Sequence, residues 1–343
     1  MTGTAVARKL DPSRPNNLNK LLAQQFKNKV VGQEKAVQVL LDMVEAYRAG
    51  FSDPRRPAGN ALFLGPTGTG KTHVVETLAE SLFGNRKACI RIDCAEFQHS
   101  HEISKLIGSP PGYLGHRETH PAIEQEKLDK FHTEALKLSI VLFDEIEKAN
   151  DALWSLLLGI LDNGTLTLGD NRIVDLTKTV IILTSNLGAR EMTKNTLGFT
   201  ALSEERDQAR LDQIALSAAK SKFSPEFMNR IENVVTFKKL LRPDVEQILD
   251  IELLGLSKSL NSCIPIELYV SPAAKEALLE AGYSEEYGAR HLKRVLDIKI
   301  MKPLAKIYNS SQLTADDTVI VDYRNDFEFY VEPKFKFYVE PKK

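Results

Sequence analysis

The octapeptide GPTGTGKT, residues 65–72, constrains this chain more than any other feature. It fits the pattern G-x-x-x-x-G-K-[ST] and lies between an apolar run, ALFLG (61–65), and a stretch with helical patterning. Gly65, Gly68 and Gly70 let the backbone curl until successive N–H groups converge on a phosphate, with Pro66, Thr67 and Thr69 completing the loop. Lys71 brings a cation to the β and γ oxygens of ATP, and Thr72 offers a hydroxyl to Mg²⁺. The helix that follows adds its positive N-terminal end.

Short apolar runs alternate with helical patterning around that loop. ACIRID (88–93), SIVLFDE (139–145) and TVIILTSN (179–186) read as strands beside ALFLG. Continuous aliphatic runs bounded by polar residues are what a strand buried on both faces of a parallel sheet requires. Leu153, Leu156, Leu157, Ile160 and Leu161 recur with helical spacing, as do Val37, Leu40, Leu41, Val44 and Tyr47. This alternation predicts an α/β domain of three layers with a parallel sheet, over residues 30–240. Past LLRPD (240–244) the patterning is helical (245–260, 272–281, 288–308) with one strand candidate at 317–323. A small, mainly α-helical domain is therefore expected over 241–323, and at about 100–200 residues per domain the 343 residues accommodate both. The first twenty residues are polar and Pro/Asn-rich with little to bury, and residues 1–29 read as an N-terminal extension. Residues 324–343 read as a tail holding a tandem octad, FEFYVEPK then FKFYVEPK. The octad is either a duplication without chemical consequence or an edge hairpin for a neighbouring subunit.

IVLFDE (140–145) ends an apolar strand in two acids. Asp144 would hold Mg²⁺, while Glu145 would orient and deprotonate an attacking water. Together with the phosphate loop, this pair indicates ATP hydrolysis rather than binding alone. Lys+Arg number 45 against 46 Asp+Glu, a net charge of −1 with no basic stripe, which argues against a dedicated nucleic-acid binder. No apolar run approaches the roughly 18 residues of a membrane helix, and MTGTAVARKLDPSRP lacks the apolar centre of a signal peptide. Cys89, Cys94 and Cys263 show no metal spacing and fit thiols of a cytoplasmic protein. His99, His101, His116 and His120 cluster too loosely for a metal site and read as solvated loop residues.

Seven motifs then occur in order: VVGQEKAV (30–37), GPTGTGKT, GSPPGYLG (108–115), VLFDEIEKA (141–149), TSNLGA (184–189), FSPEFMNRIE (223–232) and YGARHLKR (287–294). From about Val30 to Val321 the chain resembles the Clp branch of AAA+ ATPases, most nearly the second ATPase module of ClpB, ClpA and ClpC. The resemblance implies an ATP-hydrolysing protein remodeller of the chaperone or unfoldase type, working as a homo-oligomeric ring that in this family is a hexamer. It implies that Val30 and Val31 contact adenine and that Asn186 is the sensor-1 residue holding the attacking water. Arg230 resembles the arginine finger that reaches a neighbour's γ-phosphate, with a surface ion pair to Glu226 or Glu232 as the alternative. Arg290 resembles sensor 2, reaching the γ-phosphate from the small domain. Gly112, Tyr113, Leu114 and Gly115 resemble the axial loop that grips a threaded polypeptide, and residues 162–175 the second pore loop, a hairpin-like excursion. Leu197-Gly198-Phe199 resembles the tripeptide by which ClpA and ClpC dock a peptidase ring; the alternative is a loop that packs back on the sheet.

Two features depart from the family pattern. One P-loop is present with no coiled-coil insertion, so independent disaggregation is not implied. GYLG is followed by HRETHPAIEQEKLDKFHTEALKLS (116–139), longer and more charged than the family's acidic residue and Gly-Gly. Two other readings stay open: an AAA+ motor acting on nucleic acid, and a regulatory ring that positions a client without threading it.

Overall fold

The computed structural model describes residues 16–110, 120–189, 192, 204–263, 266–283, 289–314 and 317–332. The axial-loop residues Gly112, Tyr113, Leu114 and Gly115, the tripeptide Leu197-Gly198-Phe199 and the second octad (335–342) lie outside the described residues.

The first unit contains strands β1 (Gly59–Leu64), β2 (Ile90–Asp93), β3 (Ser139–Asp144), β4 (Thr165–Thr167), β5 (Ile173–Asp175), β6 (Thr179–Ser185) and β7 (Asn233–Thr236). Five of them form a sheet in the order β2-β3-β6-β1-β7, with every pair parallel. Side chains alternate across a strand, and here the alternation divides each apolar run between two cores. Leu62, Leu64, Val141, Phe143, Ile181 and Leu183 face one core. Ala61, Phe63, Ile140, Leu142, Val180 and Ile182 face the other. Both faces must therefore be apolar, which is why these strands read as continuous runs. Helices of six residues or more are numbered here. On one face lie α1 (Asn17–Lys27), α2 (Glu34–Ala49) and α3 (Lys71–Phe83); on the other lie α4 (Asp151–Asn163), α5 (Glu204–Lys222) and α6 (Pro225–Arg230).

Three sequence expectations are corrected. The stretch read as a polar extension holds α1, whose Leu22 and Phe26 are fully buried beside Leu40 and Val44. Each contributes about 1.5–3 kcal/mol by leaving water, so this segment belongs to the core from Asn17 onward. The sheet gains β7, too short to stand out in the sequence. The small domain carries more than one strand: β8 (Glu267–Val270), β9 (Thr318–Tyr323) and β10 (Phe327–Glu332) form a sheet in the order β10-β9-β8. Residues 327–332 of the first octad are therefore a strand antiparallel to β9, rather than part of a separate tail. Its helices α7 (Arg242–Cys263), α8 (Pro272–Gly282), α9 (Arg290–Leu296) and α10 (Lys302–Asn309) share a third core with that sheet. The expected excursion at 162–175 is the antiparallel β4–β5 pair. Among the described residues, no helix is long and apolar enough to cross a membrane.

Candidate active site

The strands of a parallel sheet end together, and at that edge the phosphate loop connects β1 to α3. Gly65, Gly68 and Gly70 have φ of +143°, +78° and +98°, values that favour glycine and make the loop turn back on itself. Gly70 precedes α3 without any side-chain cap, so the first N–H groups of that helix remain free to bind an anion. Thr69 donates to the Pro66 carbonyl at 2.9 Å and closes the curl.

Lys71 is buried, and its ammonium donates to the carbonyls of Gly65 (2.7 Å) and Pro66 (2.8 Å) and to Asn186 Oδ1 (2.9 Å). Three donors thus meet three neutral acceptors. Burial pushes its pKa down to about 8, against the pull of Glu147, Asp144 and Glu145, and the Arg290 charge adds to the lowering. Asp144, at the end of β3, lies 3.4 Å through either carboxylate oxygen from the Thr72 hydroxyl. Two hard oxygen donors side by side suit Mg²⁺ and fit the ion that the phosphate loop implies. Glu145 follows with φ +58° and ψ +48°, a left-handed backbone rare for glutamate, and pairs with Lys148. Asn186, one residue past β6, donates through Nδ2 to Glu145 Oε1 at 3.1 Å, so one amide bridges the lysine and the glutamate.

The second unit closes one side of this cleft, whose volume is about 460 Å³, within the roughly 300–1,000 Å³ usual for small-molecule sites. Arg290 starts α9 and lines the cleft, and the Ala289 N–H reaches the Gly68 carbonyl at 3.4 Å. Val30 and Val31, in the connection between α1 and α2, line it as well. Arg230 does not line it. It ends α6 and pairs with Asp162, a partner the sequence alternatives did not include.

Four contributors went unseen in the sequence. Arg91, on β2, binds Asp144 Oδ2 through Nη2 at 2.6 Å. Thr184 is fully buried on β6, donates to Asp144 Oδ1 and accepts from the Glu145 N–H at 3.1 Å. Glu147 accepts from the Asn186 N–H at 3.0 Å. Gln33 donates to the carbonyls of Thr69 (3.2 Å) and Lys238 (3.0 Å) and accepts from the Lys238 N–H (3.1 Å). That one buried side chain ties the phosphate loop to the connection leading into the second unit.

Comparison with known proteins assigns this geometry to a family. Residues 56–234 match the model of the AAA domain (Cdc48 subfamily). The chain belongs to the AAA+ ATPases. Residues 240–321 of this AAA+ module match the C-terminal, D2-small domain of ClpB protein, which places it in the Clp branch as a second-module type. Heat shock protein 104 of Schizosaccharomyces pombe is 37% identical over 97% of the chain. Chaperone protein ClpB of Bacillus cereus is 37% identical over 95%, and the ClpC subunit of Staphylococcus saprophyticus 38% identical over 88%. The chain spans only 35–36% of the length of these relatives. A cryo-EM reconstruction of Hsp104 with ATPγS and FITC-casein superposes with a TM-score of 0.77 at 30% identity, covering 94% of this chain and 53% of that one. An S. cerevisiae Hsp104:casein complex gives a TM-score of 0.76 at 30% identity, covering 90% and 51%.

Proposed function

We propose that this AAA+ module hydrolyses ATP to remodel polypeptide clients as one subunit of a homo-oligomeric ring, hexameric by family analogy and cytoplasmic. One observation carries the reading: Lys71, Asn186, Glu145, Thr184, Asp144 and Thr72 form a continuous polar network in a cleft that Arg290 of the second unit also lines. The large unit (17–240) would be the ATPase and the small one (from 241) its lid.

Thr72 and Asp144 are the residues to hold Mg²⁺, which when bound supplies charge to the β and γ phosphate oxygens. Lys71 has only neutral acceptors in this state, so turning its ammonium to a phosphate exchanges weak partners for an ionic one. Glu145 takes the proton of the attacking water, and its strained backbone presents the carboxylate at the strand end. Asn186 stays neutral while holding the water beside that base. Arg290 lets ATP draw the second unit onto the first, and closure moves the client-binding loops. Arg230 lies outside the lining of its own cleft and would serve the neighbouring subunit, as in a ring built head to tail. Its pair with Asp162 is partly exposed and easily exchanged for a phosphate. The relatives' names and the casein in two Hsp104 structures support polypeptide clients, which Tyr113 would grip with its aromatic face. Leu197-Gly198-Phe199 would dock a peptidase or adaptor, unless that loop packs back on the sheet.

The test compares client classes. Unfolded casein should stimulate phosphate release more than single- or double-stranded DNA does. Tyr113→Ala should lose that stimulation about tenfold while keeping basal turnover within about threefold, under ~1 kcal/mol in barrier. Stimulation by DNA alone would assign the motor to nucleic acid, and full stimulation of Tyr113→Ala would favour a ring that does not thread.

A further inference from the structure

We infer that His73 is a positioning residue that fixes the base end of the nucleotide site to its phosphate end; this deepens, and rests on, the ATP-site reading above. His73 follows Thr72 on the first turn of α3 and lines the same cleft. Its ring is engaged on both sides, with Nε2 2.9 Å from the Lys29 carbonyl oxygen and Nδ1 2.9 Å from Arg86 Nη2. A carbonyl only accepts and a guanidinium only donates. The ring is therefore the neutral form whose Nε2–H donates to Lys29 and whose Nδ1 accepts from Arg86.

The same lysine is tied a second time. Its ammonium lies 2.8 Å from Glu80 Oε1, and Glu80 Oε2 lies 3.5 Å from Arg86 Nε. His73, Arg86, Glu80 and Lys29 close a ring of contacts that joins α3 and the loop after it to the backbone just before Val30 and Val31. That backbone is a short connection between two helices. Its N–H groups at Lys29 and Val30 turn back to Phe26, and the Lys29 carbonyl bond to His73 is a backbone link to the phosphate-binding helix beside the Lys29–Glu80 ion pair. Thr72 and His73 are adjacent, so one helical turn holds both ends of the site. The ring sets the span between them. A ligand that occupies both ends gains from a fixed span, whereas one that occupies only the phosphate end does not. The second unit meets the cleft at this point through Glu252 and Lys293, an ion pair at 2.9 Å.

The experiment measures binding of two probes to the purified chain, a fluorescent ADP derivative and inorganic tripolyphosphate, which has no base. His73→Ala leaves the Lys29 carbonyl without its partner and should weaken the ADP derivative by about tenfold or more. Tripolyphosphate should bind this variant within about twofold of wild type, because the phosphate loop keeps its own contacts. His73→Gln, whose amide can donate to Lys29 and accept from Arg86, should recover most of the loss. Wild-type affinity for the ADP derivative in His73→Ala, or an equal loss for both probes, would overturn the positioning role. A wild-type chain that binds neither probe would overturn the ATP-site reading itself.

Discussion

Raising the pH from 7 to 9 should weaken nucleotide binding about tenfold, through Lys71. Burial moves this lysine from the ordinary 10.5 to about 8, because taking the ammonium out of water disfavours its charge and its acidic neighbours compensate only in part. Phosphates favour the charged form, so binding has to return a proton to every lysine that has lost one. The sign follows: the protonated fraction of the nucleotide-free protein falls as pH rises through 8, and affinity falls with it. The free-state factor 1 + 10^(pH − pKa) grows from about 1.1 at pH 7 to about 11 at pH 9, a loss near ~1.4 kcal/mol. The assay is titration calorimetry with ADP at fixed Mg²⁺ and ionic strength, with Lys71→Gln as the control. The variant should bind weakly at every pH, with no slope of its own in this range. A flat wild-type profile, or an equal slope in Lys71→Gln, would refute the reasoning that burial sets this lysine's charge.

Two further outcomes are expected. Arg230→Ala subunits keep a complete cleft of their own, and Glu145→Gln subunits still carry Arg230, so each homomeric ring should be nearly inactive while mixed rings regain turnover; activity no greater than the sum of the parts, with exchange verified, would remove Arg230 from the neighbour's site. A Cβ on Gly65 would come 2.8 Å from the Phe237 carbonyl at a backbone φ of +143°. Gly65→Ala should therefore cost about 1–3 kcal/mol in urea unfolding, and an unchanged midpoint would mean that the loop start and β7 relax apart freely.

The layered sheet and the phosphate loop were legible because their signals are local. Three strands, β1, β3 and β6, carry unbroken apolar runs, and GPTGTGKT is contiguous. Residues that act through distant partners left no such mark. Gln33 bonds to residues 36 and 205 positions away, and Thr184 and Arg91 serve Asp144 from two different strands. α1 did leave a signal, Leu18, Leu22 and Phe26 at helical spacing after the capping Asn16, but its many polar residues obscured it. β7 and β8 have four residues each, too few to display a period, and β10 is the start of a repeat whose sequence does not reveal its partner strand.

The central claim is that this cleft hydrolyses ATP with Glu145 as the base, and it is tested most directly by measuring bound nucleotide and released phosphate on the same Glu145→Gln preparation. The amide keeps the size of the side chain but cannot take the water's proton, so the variant should retain ATP with near wild-type affinity. Phosphate release should fall by about a hundredfold or more, the usual contribution of a positioned general base. Wild-type turnover from Glu145→Gln would contradict the account.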